Sequence, residues 1–141
     1  NYFMRKKIFL ILTLISTLFL ISCNGKELPE NYDKKEMENI SMEVIEDINS
    51  KRYNGAYEKY CSENLKSKIT KDKIKAIVEK TQNKKGLFQK FKRAKFVGAK
   101  HPEDKTKRIG VSIINCRHDK KDVIYTISFN EDMKITEINL N

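Results

Sequence analysis

The sequence predicts an α+β domain in which three N-terminal helices pack on a curved four-stranded antiparallel sheet. Three observations carry this reading. Apolar residues recur at helical spacing through the first part of the chain and at alternating spacing from Leu87 onward. Three polar clusters, His101 to Lys105, His118 to Lys121 and Asn130 to Asp132, cut the second part into four strand-like runs. Each part is apolar on one side only, so each needs the other as its cover.

The first helix starts at Asp33, where an Asp followed three residues later by Glu36 has the form of a capping box. Met37, Ile40, Val44, Ile45 and Ile48 then repeat on one helical face. A loop from Ser50 to Asn54 leads to a short second helix in which Tyr57, Tyr60 and Cys61 share a side, with Tyr53 packed at its entrance. Thr70 is the expected N-cap of a third helix lined by Ile74, Ile77 and Val78 and closed before Gly86. In the third strand run Val123, Tyr125, Ile127 and Phe129 point one way with mostly polar residues between them, so one face is expected to be buried and the other wet.

Ahead of this domain, Arg5, Lys6 and Lys7 precede an uncharged run from Ile8 to Ile21. Those 14 residues fall short of the roughly 20 that a membrane-spanning helix needs, and the pattern is that of a secretory signal, residues 4–22. Leu20-Ile21-Ser22-Cys23 resembles the bacterial lipoprotein box. That resemblance implies cleavage before Cys23, a diacylglyceryl thioether on its sulfur, and a protein held on the outer face of a bacterial cell membrane. Two acyl chains at about 0.8 kcal/mol per buried methylene make such an anchor effectively permanent. Residues 23–32 are polar, contain Pro29 and lack periodicity, and are expected to form a flexible tether; the domain then occupies residues 33–141.

Within the α+β domain, the first helix with Tyr53-Asn54-Gly55-Ala56-Tyr57, the Leu65-Lys66-Ser67-Lys68-Ile69-Thr70 lead, Gly86-Leu87-Phe88, and the terminal hairpin from Ile127-Ser128-Phe129-Asn130 to Lys134-Ile135 form a recognisable set. Over Glu36 to Leu140 it resembles the nuclear-transport-factor-2-like superfamily, in the branch of short domains of unknown function found on Gram-positive secreted proteins and lipoproteins. The resemblance implies a cone-shaped sheet curled around the first helix. Enzymes of that superfamily place an Asp or His inside the apolar cone, where burial moves its pKa toward neutrality. No equivalent is evident in this sequence: Asp119, Asp122, Glu131 and Asp132 fall in predicted turns, and His101 and His118 are expected there too, as solvated residues. Arg117, His118 and Asp119 would form an acid/base or metal group only if the fold brought them together.

No Gly-rich phosphate loop, CxxC pair, HExxH motif or nucleophile elbow occurs, so neither catalytic residues, metal nor cofactor is expected. Tyr57, Tyr60, Phe88, Phe91, Phe96, Tyr125 and Phe129 could line a pocket for a small apolar molecule, which is the enzyme or small-molecule alternative. In a chain with no tryptophan and 34% charged residues, the leading expectation is that these aromatics form the core. Cys61 and Cys116 remain once Cys23 is acylated. Export permits a disulfide between them, stabilising by about 4 kcal/mol on a chain-entropy estimate, and two buried thiols are the other reading.

The net charge of +10 is unevenly placed. Cys23 to Leu65 carries −4, Lys66 to Arg108 carries +12, and Ile109 to Asn141 carries −1. Such a segment suits an anionic lipid, a wall polymer or an acidic protein. Nucleic acid is not expected as a partner: the chain is read as exported, and lysines outnumber arginines 22 to four after Cys23, whereas base readout favours guanidinium. Lys84, Lys85, Lys90, Lys92, Arg93 and Lys95 are the expected anionic-surface patch on a non-enzymatic binding domain.

Overall fold

The computed structural model of the chain describes residues 27–141. The segment expected to be a secretory signal and the lipobox-like run from Leu20 to Cys23 lie outside the described residues. Helix α1 spans Lys34–Asn49. The Asp33 carboxylate accepts from the Lys35 and Glu36 amides at 2.9 and 3.2 Å, satisfying two of the helix's free donors. Met37, Ile40, Val44, Ile45 and Ile48 form its buried face. Helix α2, Ala56–Tyr60, buries Ala56 and Tyr57. Helix α3, Glu63–Lys68, starts at a Ser62 cap and buries Leu65 alone. Helix α4, Lys71–Lys85, is capped by Thr70 and buries Ile74 and Val78.

The described residues thus hold four helices where three are expected, because the lead into the long fourth helix is itself helical. A six-residue helix with one buried side chain leaves no periodicity to read. Ile77, assigned to the inner face of that long helix, is 36% exposed.

Strands β1 Phe88–Lys100, β2 Arg108–His118, β3 Asp122–Phe129 and β4 Ile135–Leu140 form one antiparallel sheet in the order β1-β2-β3-β4. The turns coincide with the three polar clusters. Two register shifts in β1, between Phe88 and Lys90 and between Phe91 and Arg93, disturb its alternation; such bulges bend a strand. Val123, Tyr125, Ile127 and Phe129 are all fully buried and face the helices together with Ile114, Cys116 and Ile135. Helix α1 lies against β1, β2 and β3, and α3 against β4.

The opposite face is not uniformly wet. Val97, Ile109 and Val111 form a second, smaller buried cluster there, supported by Ala99 and Ile113.

One expectation needs correction, and for the cysteines one of the two open readings is the one seen. The segment expected to be a free tether is part of the fold from Glu27: Tyr32 is 4% exposed, its amide donates to the Pro29 carbonyl at 3.0 Å, and Leu28 packs on the core. Gly98 and Gly110, paired across β1 and β2, make room for this segment. A Cβ at Gly110 would stand 2.7 Å from the Tyr32 ring, and one at Gly98 would collide with the Glu27 carbonyl oxygen and press on Pro29.

Cys61 and Cys116 are both buried free thiols rather than a disulfide. Cys61 bridges Ile135, which lies level with Phe129 and Gly110, whereas Cys116 pairs with Val123, six residues along β2 from Gly110. At about 3.3 Å per residue the two thiols are on the order of 20 Å apart along the strands, far beyond disulfide reach.

Tyr32→Ala should therefore behave as a core deletion and not as a linker change, lowering the unfolding free energy by about 3 kcal/mol in urea titration. A loss below about 0.5 kcal/mol would return residues 27–32 to the tether.

Candidate functional site

At the end of the sheet where β2 turns into β3, a chain of polar groups runs through the interior. His118 closes β2 and is fully buried. Its Nδ1 lies 2.7 Å from the Gly86 carbonyl oxygen, and its Nε2 lies 2.8 Å from the Tyr125 hydroxyl. The carbonyl can only accept, so Nδ1 carries the proton and Nε2 accepts from Tyr125. Asn49 Nδ2 donates to the same hydroxyl at 2.9 Å and to the Ile45 carbonyl at 2.8 Å. Gln82 Nε2 completes the chain, donating to Asn49 Oδ1 at 3.2 Å. A neutral His118 satisfies every ring nitrogen and the hydroxyl at once.

Local sequence builds each link. Gly86 ends α4 at φ +91°, a conformation that disfavours any residue with a Cβ, and this aims its carbonyl at the ring. His118 follows Ile114 and Cys116 on the inward positions of β2. Tyr125 is inward on β3, and Asn49 ends α1. The rings pack as well: Phe88 meets His118 edge-on at 5.8 Å, and His118 stacks on Tyr125 at 5.9 Å. Burial pushes the Tyr125 hydroxyl pKa well above the usual tyrosine range. It pushes the Tyr57 hydroxyl, and the Cys61 and Cys116 thiols, up to about 12.

His118 is the residue whose expected place is overturned. It is not a solvated turn residue, and its neighbours point elsewhere. Arg117 pairs with Asp122 at 3.4 Å, and Asp119 accepts from the Leu87 amide at 3.1 Å to lock the β2–β3 turn. Strand alternation separates the three side chains, so no Arg-His-Asp group forms. His101 is a turn residue whose Nδ1 accepts from the Glu103 and Asp104 amides, both at 3.1 Å. Among the described residues no three His, Cys, Asp or Glu side chains converge as a metal site would require.

The aromatic set divides. Tyr57, Tyr125 and Phe129 are fully buried, while Tyr60, Phe88, Phe91 and Phe96 are partly buried against the same core. A groove of about 430 Å³ between α3, the β1–β2 turn and β4 is lined by Asn64, Lys68, His101, Thr136 and Glu137. Another, of about 320 Å³, lies between Ile77, Thr81, Lys84 and Leu140. Neither touches His118 or Tyr125.

Of the six basic residues, Lys84, Lys90, Lys92, Arg93 and Lys95 are exposed and Lys85 is half-buried. Lys92 binds Asp122 at 2.6 Å. The other five have no carboxylate within ion-pair distance among the described residues. The Lys85 carbonyl accepts from the Lys120 and Lys121 amides at 2.8 and 3.2 Å, which brings two more lysines to this end of the domain. Sequence spacing could not show that, since 35 residues separate Lys85 from Lys120.

These features define a class: a small α+β domain with four helices against an open antiparallel sheet and a hydrogen-bonded polar chain in its interior. The chain belongs to the family described as protein of unknown function (DUF3887), whose pattern matches residues 41–138, from α1 through β4. It is also similar to a protein from Ruminococcus gnavus ATCC 29149 with an NMR structure, at 28% sequence identity and a TM-score of 0.66, over 81% of this chain and 96% of that one. No curated protein matches the sequence.

Tyr125→Phe should cost roughly 2 to 4 kcal/mol of stability, because it strands His118 Nε2 and an Asn49 N–H without partners. A loss under 0.5 kcal/mol in urea titration would mean that the chain contributes little beyond packing.

Alkaline pH tests the buried groups together. Their folded pKa values lie above the unfolded ones, so the folded state holds its protons more tightly. The stability this gives is fully present below the ordinary thiol value of 9.0 and is lost as pH rises toward 12. Urea midpoints should stay flat from about pH 7 to 8.5 and then fall, each group contributing up to about 1.4 kcal/mol per pH unit. A midpoint unchanged at about pH 10.5 would contradict the burial of these groups.

Proposed function

We propose that this chain is a lipid-anchored protein on the outer face of a bacterial cell membrane, carrying a nuclear-transport-factor-2-like domain that binds an anionic surface and performs no catalysis. The lipobox at Leu20 to Cys23 supports the address. The cation-rich segment from Lys84 to Lys95 supports the activity, and the observation that carries it is the lack of carboxylate partners for Lys84, Lys85, Lys90, Arg93 and Lys95 among the described residues. Cations left without counter-charges stay hydrated and available, and several on one surface attract polyanions within about a Debye length.

The interior supports the non-enzymatic reading. A general acid or base must reach a substrate, whereas His118 and Tyr125 are buried and hydrogen-bonded to protein groups. The Cys61 and Cys116 thiols are held neutral by burial, unlike nucleophilic cysteines, whose pKa is depressed.

The test uses the non-acylated Cys23→Ser chain in sedimentation with anionic vesicles and with purified wall material. Replacing Lys84, Lys85, Lys90, Lys92, Arg93 and Lys95 by glutamine should weaken binding at least about tenfold, since each basic group near such a surface is worth up to about 1 kcal/mol. Binding should also fall as salt rises. Binding indifferent to both salt and the six substitutions would leave this segment as a solvated face.

A further inference from the structure

We propose that the free edge of β1 is the surface that lies along the anionic bilayer, held there by the way the N-terminal segment packs. The inference rests on the acylation of Cys23 proposed above and names the bilayer as the anionic partner. Its first support is chain length. Only four residue steps separate Cys23 from Glu27, at most about 14 Å even when fully extended. Glu27 is already fixed: its carbonyl and the Pro29 ring sit against Gly98 of β1, with the Arg108 guanidinium beside them. An anchored chain therefore holds this part of β1 close to the headgroups.

Charge supplies the second support. β1 stands at one edge of the sheet, and its 13 residues include Lys90, Lys92, Arg93, Lys95 and Lys100 with no carboxylate. The other edge, β4, has Glu137 and no base, and α3, which packs on it, carries Glu63 together with Lys66 and Lys68. The strand next to the anchor thus carries five bases and no carboxylate, whereas the strand at the remote edge carries one carboxylate and no base. A lysine-rich edge also discourages pairing with another strand, which is the ordinary reason for such residues. That reason alone does not account for an N-terminal exit on the same strand.

The orientation can be read with a fluorophore placed on either edge of the full, acylated chain. Ala94→Cys puts the label on β1 and Asn139→Cys puts it on β4; both positions are exposed, and the buried, neutral Cys61 and Cys116 thiols do not compete for it. The protein is reconstituted in phosphatidylglycerol vesicles containing a lipid with a nitroxide on its headgroup. Three strand spacings of about 4.8 Å separate the edges, so the Ala94 label should be quenched at least about threefold more than the Asn139 label. Glutamine at Lys90, Arg93, Lys95 and Lys100 should reduce that contrast. Equal quenching, or stronger quenching at Asn139, in a chain whose mass includes the diacylglyceryl group would overturn the orientation and leave the anchor standing. A chain without that mass, fractionating as Cys23→Ser does, would overturn the anchor and the orientation with it.

Discussion

The hydrogen-bonded run from Gly86 through His118, Tyr125 and Asn49 to Gln82 is the interaction on which the architecture turns. It joins the end of α4, the last residue of β2, the middle of β3, the last residue of α1 and the body of α4. Hydrophobic burial supplies most of the driving force for packing helices on a sheet, but it is non-directional and tolerates sliding. A buried polar chain does not, because each group displaced from its partner loses a bond that water cannot replace. The helices are therefore fastened in one register. The β2–β3 turn is fixed to the same point by the Asp119 bond to the Leu87 amide and by the Lys85 carbonyl.

This arrangement assigns different work to interior and surface. Inside, His118 and Tyr125 bond each other and neighbouring protein groups, which serves specificity of packing. Outside, the lysines of β1 and Lys84 of α4 are exposed to solvent. The N-terminal segment links the two. Leu28 and Tyr32 dock against the core while Glu27 and Pro29 lie against β1, which fixes where on the domain an anchored chain would meet the membrane.

Much of this fold was legible in residue order. The inward set Val123, Tyr125, Ile127 and Phe129, the buried stripe of α1 and all three β-turn clusters follow from period and polarity alone. Three features escaped for physical reasons. Helix α3 buries only Leu65, too little for a pattern. Tyr32 packs on Gly110, and Glu27 and Pro29 on Gly98, both distant in sequence, while Pro29 and the polar residues around it have the local composition of a linker. His118 stands at the junction of a strand and a polar cluster; counting inward from Ile114 and Cys116 would have placed it inside, but its polarity assigned it to the turn. The two cysteines show the same limit, since sequence gives their number and not their positions at opposite ends of the sheet.

The polar chain through the interior closes on protein groups alone, with His118 protonated at Nδ1 and accepting at Nε2. Long-range nitrogen–proton NMR correlation of the His118 ring at neutral pH reads this directly. A protonated Nδ1 with a slowly exchanging proton and an unprotonated Nε2 is the result expected from the bonds to Gly86 and Tyr125. A ring protonated at Nε2, or one whose nitrogen-bound proton exchanges freely with water, would contradict a sealed interior and reopen the domain to chemistry at that residue.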